Sequence, residues 1–136
     1  MTTQEVADQL VKWCNEGNEA KCYQELYSPD AVSWEMEADP NDAMAKCEGM
    51  QEIQKKGEWW YENFEVHSSK ASEPTVADGY FTTRFDMDTT HKPSGQRSKM
   101  SELGVYKVKD GKITEERIVE SFYRIQAVKK KYFNNE

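Results

Sequence analysis

Residues 80–122 read YFTTRFDMDTTHKPSGQRSKMSELGVYKVKDGKITEERIVESF, and this stretch decides the fold. Phe81, Thr83, Phe85 and Met87 alternate with Tyr80, Thr82, Arg84, Asp86 and Asp88, the two-residue period of a half-buried strand. Lys92-Pro93-Ser94-Gly95 interrupts the run with turn residues. Strand-like sequence resumes over 97–109. Asp110-Gly111 is a hairpin pair, because both central residues of the tightest favoured turn need positive φ. The spacing predicts three long antiparallel strands over 80–89, 97–109 and 112–122, with a further strand before them over 65–71.

The chain upstream is helical. Thr2 followed by Glu5 forms a capping box. Val6, Leu10 and Cys14 recur at helical spacing, and Gly17 ends that helix. Asn18 starts a second helix with Cys22, Tyr23, Leu26 and Tyr27 on its apolar face, and Pro29 is expected to stop it. Residues 31–37 read as a strand, with Val32, Trp34 and Met36 on one parity and Ser33, Glu35 and Glu37 on the other. Residues 39–49 begin as a loop at Pro40, Asn41 and Asp42. A third helix carries Ile53, Trp60 and Phe64 on one side, with Glu52 and Lys56 as an exposed i,i+4 pair. After residue 122 a short amphipathic tail carries Ile125, Val128, Tyr132 and Phe133. Three helices and a meander of long strands predict an α+β domain, with helices packed on one face of a strongly curved antiparallel sheet. A bent sheet wrapped around helices leaves a cavity on its concave side.

Composition narrows the function classes. The 136 residues suit one domain, with a core over about 4–122 and a tail over 123–136. A net charge of −7 argues against nucleic acid, since phosphate binding needs clustered Lys and Arg. Lys129-Lys130-Lys131 reads as a solvated helix end. Cys14, Cys22 and Cys47 form neither a disulfide framework nor a metal spacing, and only two histidines are present, so no metal or organic cofactor is expected. Free thiols and the lack of a signal-like start or a long apolar run predict a cytoplasmic protein without a membrane segment.

Several strings resemble a known family. Glu25-Leu26-Tyr27-Ser28-Pro29-Asp30-Ala31-Val32 resembles the passage from second helix to first strand in nuclear transport factor 2-like domains. Val105-Tyr106-Lys107-Val108-Lys109-Asp110-Gly111-Lys112-Ile113 resembles their last hairpin. Lys56-Gly57-Glu58-Trp59, Glu65-Val66-His67 and Arg84-Phe85-Asp86-Met87-Asp88 are similar to a SnoaL-like, polyketide cyclase-like subgroup. The resemblance spans about residues 4–122. It implies a cone-shaped, cystatin-like roll, a small-molecule pocket and a homodimer. One fold of this kind hosts many chemistries, so function rests on the site.

Parity and resemblance together select the candidate site. Phe81, Thr83, Phe85 and Met87 should face the pocket, which leaves Arg84, Asp86 and Asp88 for an outer ion-pair ladder. Resemblance implies that Tyr106 and Glu102 point inward on the next strand. On the last strand it implies the same of Thr114, Glu116, Ile118, Glu120 and Phe122, opposite Ile113, Glu115, Arg117 and Val119. Periodicity alone leaves that strand open, because both faces mix charged and apolar residues. By resemblance, Glu35 falls where steroid isomerases keep a general base, and Glu120 where SnoaL-like cyclases keep an acid/base aspartate. Leu10 and Gly104 stand where the isomerases place oxyanion donors, so that mechanism is not expected.

Glu35, Glu102, Glu116 and Glu120, with His67 assisting, are therefore the candidate catalytic groups, with Glu35 as lead base. Trp59, Trp60, Phe85, Met87, Tyr106 and Ile118 are the candidate substrate contacts. Buried like-charged carboxyls titrate toward neutrality and can relay protons in an isomerisation, cyclisation or elimination. Against this stand the ordinary readings: glutamates paired with Lys99, Lys107, Arg97 or Arg117, a hydrogen-bonded His67, and tryptophans used for packing. A non-catalytic ligand-binding module and a protein-association module are the alternatives.

Overall fold

The computed structural model describes residues 1–120. The expected end of the last strand at Phe122 and the tail with Ile125, Val128, Tyr132 and Phe133 lie outside the described residues. Helix α1 (Thr3–Asn15) opens on the capping box, with Thr2 Oγ1 accepting from the Glu5 amide at 3.1 Å and Glu5 Oε1 accepting from the Thr2 amide at 2.9 Å. Helix α2 (Glu19–Glu25) follows, without a side-chain cap from Asn18. The remaining elements are β1 (Tyr27–Glu35), β2 (Lys46–Glu48), α3 (Met50–Asn63), β3 (Phe64–Ala71), β4 (Thr75–Ala77), β5 (Tyr80–His91), β6 (Gln96–Lys109) and β7 (Lys112–Glu120).

The strands form one curved sheet in the order β2-β1-β7-β6-β5-β3, with β4 also paired to β5. The architecture is the expected α+β roll, helices against a sheet. All pairings are antiparallel except β1 with β7, which run parallel. The β6–β7 turn has φ of 52° at Asp110 and 75° at Gly111, as the Asp-Gly pair predicts.

Several details depart from the expectations, among them Tyr27 and Phe64, which begin β1 and β3 and do not lie on helices. Pro29 does not stop α2: the helix ends at Glu25, and Pro29 lies inside β1, where the pairing with β7 shifts between Tyr27 and Val32. A proline is tolerated at such an irregularity because its missing N–H interrupts no ladder bond there. The short strand β2 falls within the stretch 39–49 that begins as a loop, and β4 lies between the strands expected over 65–71 and 80–89. Ile113 points inward, not outward, and is 0% exposed. Lys107 pairs with Glu115 but Val108 pairs with Ile113, so Thr114 is an extra residue, a β-bulge. The bulge resets the alternation and lets Ile113 and Glu116 both face the helices.

The core joins α1, α2 and α3 to the sheet through Val6, Ala7, Leu10, Leu26, Ile53, Phe81, Tyr106 and Ile113. Each large apolar side chain buried there contributes about 1.5–3 kcal/mol. The end of α1 is also tied to the sheet. Asn15 donates from Nδ2 to the Ala71 carbonyl at 3.1 Å and accepts the Ala71 amide on Oδ1 at 2.8 Å. The outer sheet face carries the predicted ladder: Arg97 grips both oxygens of Asp88 at 3.0 Å, and Arg84 pairs with Asp86 at 3.0 Å.

Candidate functional site

Between α1–α3 and the concave sheet face lies a cavity of about 970 Å³. All four candidate glutamates line it: Glu35 from β1, Glu102 from β6, and Glu116 and Glu120 from β7. The parity that the charged–apolar mixture of β7 left open is thus resolved by the bulge at Thr114, which sets Glu116, Ile118 and Glu120 inward. Phe85, Met87, Tyr106 and Ile118 reach the cavity from the sheet, and Trp59 and Trp60 from the end of α3. Trp60 stacks on Phe64 at 4.2 Å between ring centres, whereas Trp59 is 37% exposed at the mouth. His67 borders the cavity from β3 as an exposed residue, its Nε2 at 2.7 Å from Thr90 Oγ1.

The polar parity of β1 faces inward, and its partner comes from α3. Lys56 donates to Glu35 Oε1 at 2.9 Å and to Ser33 Oγ at 2.6 Å. Lys56 is thus not the exposed partner of Glu52 that the i,i+4 spacing suggested; Glu52 instead accepts the Glu48 amide at 2.9 Å. Its position was readable: Lys56 is three residues after Ile53 and four before Trp60, on the apolar stripe of the helix. The apolar parity of β1 goes outward, where the Trp34 ring lies 4.2 Å from the Arg117 guanidinium.

Desolvation governs the charges. Burial pushes the Glu35 carboxyl up, and Lys56 pulls against that shift. Burial pulls Lys56 down, but the charges of Glu35 and Glu116 outweigh it, so the ammonium is held firmly protonated. Glu116 is 4% exposed and pushed up to about 7 by burial. Tyr27 donates to Glu116 Oε1 at 3.1 Å. Glu102 and Glu120 stand directly opposite each other on β6 and β7, near enough for one carboxyl to hydrogen-bond the other once it is protonated. Burial and then the charge of Glu120 push Glu102 well above the carboxylate range, so Glu102 is the donor. Burial also raises Glu120, to about 7. Such a pair holds one proton between two carboxyls.

Tyr23, Tyr27 and Tyr61 escaped the sequence reading of the site, whereas Tyr106 did not. Tyr23 and Tyr61 both donate to Glu19, each at 3.0 Å, and close the α2 side of the cavity. Tyrosines at helix ends carry no signal that separates packing from hydrogen bonding. Gly104, where an acid would complete an isomerase site, is covered by the Tyr106 ring, and Leu10 is 2% exposed. Among the described residues, no group of three His, Cys, Asp or Glu side chains is arranged to hold a metal ion. No helix among them is long and apolar enough to cross a membrane.

Known proteins match most of the chain. The model of the SnoaL-like domain family matches residues 1–123. A Mesorhizobium loti structure described as a SnoaL-like polyketide cyclase is similar at 36% identity and a TM-score of 0.80, over 87% of this chain and 98% of that one. A nuclear transport factor 2-like protein of Burkholderia thailandensis shares the fold at 14% identity and a TM-score of 0.79, over 93% of this chain and 96% of that one. A Xanthomonas campestris protein with a cystatin-like fold aligns at a TM-score of 0.69 and 17% identity, over 89% of this chain and 92% of that one. Among curated proteins, no sequence matches.

Proposed function

This chain belongs to the SnoaL-like domain family, and on that footing we propose that its cavity binds a small organic molecule and moves a proton within it. The observation that carries the reading is the Glu102–Glu120 pair: two inward carboxyls, directly opposed across β6 and β7 and so placed to hold one proton between them. A base that titrates near neutrality is available as carboxylate and still basic enough to take a proton beside a carbonyl. Glu35 is the less basic group, because Lys56 holds its charge at 2.9 Å. The lead role therefore passes from Glu35 to Glu120, with Glu102 returning the proton. Glu35, Glu116 and His67 are supporting groups, and Trp59, Trp60, Phe85, Met87, Tyr106 and Ile118 hold the apolar body of the substrate. Isomerisation, cyclisation and elimination all fit this chemistry. We read the chain as one such domain, acting without metal or organic cofactor. A homodimer belongs to the same reading, supported by Tyr80, Leu103 and Val105 exposed on the outer sheet face.

The test needs no natural substrate. In the Kemp elimination of 5-nitrobenzisoxazole a base removes the ring C–H proton while the N–O bond breaks, giving a coloured phenolate. The wild-type protein is expected to accelerate this reaction above acetate buffer, with a rate that rises with pH through about 7 as Glu120 ionises. Glu120→Gln is expected to lose about 10²-fold or more of the rate while remaining folded. A wild-type rate in Glu120→Gln, or none above buffer in the wild type, rejects proton transfer by this pair.

A further inference from the structure

The cavity gathers acids that outnumber its cations. Glu102, Glu116 and Glu120 form its floor, and Glu37, Asp39 and Asp42 stand at its rim. Lys56 is the one lysine among the described lining residues; it is paired with Glu35 at 2.9 Å, and its charge also reaches Glu116. Arg84, Arg97 and Arg117 of the outer face are engaged by Asp86, Asp88 and Glu115 respectively. Glu116 is more than nine-tenths buried and lines the cavity, and Tyr27 holds only its Oε1; no hydrogen bond from the described residues reaches its other oxygen. Aromatic faces complete the lining, among them Tyr23, Trp60, Phe64 and Phe85.

We propose that the ligand is an organic cation, a protonated amine on an apolar or aromatic body, with its ammonium on that other oxygen of Glu116. The inference rests on the small-molecule reading of the cavity and names the class that the cavity takes. Carboxylates and aromatic faces both attract an ammonium, and a partly dry cavity strengthens both attractions. The same walls repel carboxylates and phosphates, and the acidic rim steers cations inward. Length follows from the strand. Glu116 and Glu120 are four residues apart on β7, about 13 Å at the rise of a β-strand. An amine anchored at Glu116 therefore extends its body along Ile118, past Phe85 and Trp60, and brings a C–H bond toward the Glu102–Glu120 pair.

Matched probes test the charge preference. Tryptamine, tryptophol and indole-3-acetate share one indole body and differ in head-group charge. Titration calorimetry, with the Trp60 indole proton followed by NMR, measures the affinity and locates it in the cavity. Tryptamine is expected to bind at least about tenfold tighter than tryptophol, with indole-3-acetate weakest. Glu116→Gln is expected to erase most of the advantage of tryptamine over tryptophol while leaving tryptophol unchanged. Equal or tighter binding of tryptophol or indole-3-acetate overturns the amine assignment and leaves the cavity reading standing. Binding by none of the three at millimolar concentration overturns both. Amine-selective binding without Kemp turnover supports the ligand class and rejects the proton-transfer chemistry alone.

Discussion

Glu116 carries a carboxyl into the interior, and its folded-state pKa is raised by burial from 4.5 to about 7. The folded protein thus keeps a proton that the unfolded chain releases. The stability linked to that proton is complete below about pH 4.5 and is lost as pH rises through about 7, a change of about 3 kcal/mol across the window. Glu116→Gln keeps a neutral side chain of the same shape and still accepts from Tyr27. Thermal melts should therefore show the variant matching the wild type near pH 4.5 and melting higher at pH 8. A variant that is less stable at pH 8 would mean that the ionised carboxylate is satisfied in the fold. The inward direction of Lys56 was legible in its place on the apolar stripe of α3, although its spacing from Glu52 favoured an exposed pair; its counter-charge was not, because only the three-dimensional placement of Glu35 supplies it.

Strand β6 shows how an element makes room for the site. A Cβ built on Gly104 would lie 2.6 Å from Tyr106 Cε2 and from its hydroxyl oxygen, because the ring leans back along the strand over the glycine. That ring is 3% exposed and stacked on Phe81 at 4.6 Å, so it cannot move aside freely. Gly104→Ala should destabilise by about 1–3 kcal/mol, read in chemical denaturation, with tryptophol affinity changed as the cavity floor shifts. Unaltered stability would show that the ring has another rotamer available. The strands of the meander were legible because their alternation and turn residues are local. Ile113 was misassigned because a bulge is a property of two strands, and nothing in 112–120 announces that Thr114 has no partner. Pro29 misled for a similar reason, since a proline ends a helix by local rules but sits in a strand when the ladder is already broken.

At the scale of the molecule, helices on one face of a curved sheet were readable from element order. The convergence of Glu35, Glu102, Glu116 and Glu120 needed the family resemblance as well, because charge pattern alone does not separate a cavity wall from a solvated face. The contacts between Asn15 and Ala71 have a consequence beyond holding α1 in place. Strand β3 ends the sheet, and an open strand edge is a template on which further chains can add. Asn15 occupies both backbone groups of Ala71 as a passing strand would, capping that edge with one side chain. Asn15→Ala should leave the fold largely intact yet shorten the lag before thioflavin-positive fibrils form under agitation. An unchanged lag would mean that the edge is guarded elsewhere. In the intact protein, a single side-chain amide stands where the first strand of an aggregate would dock.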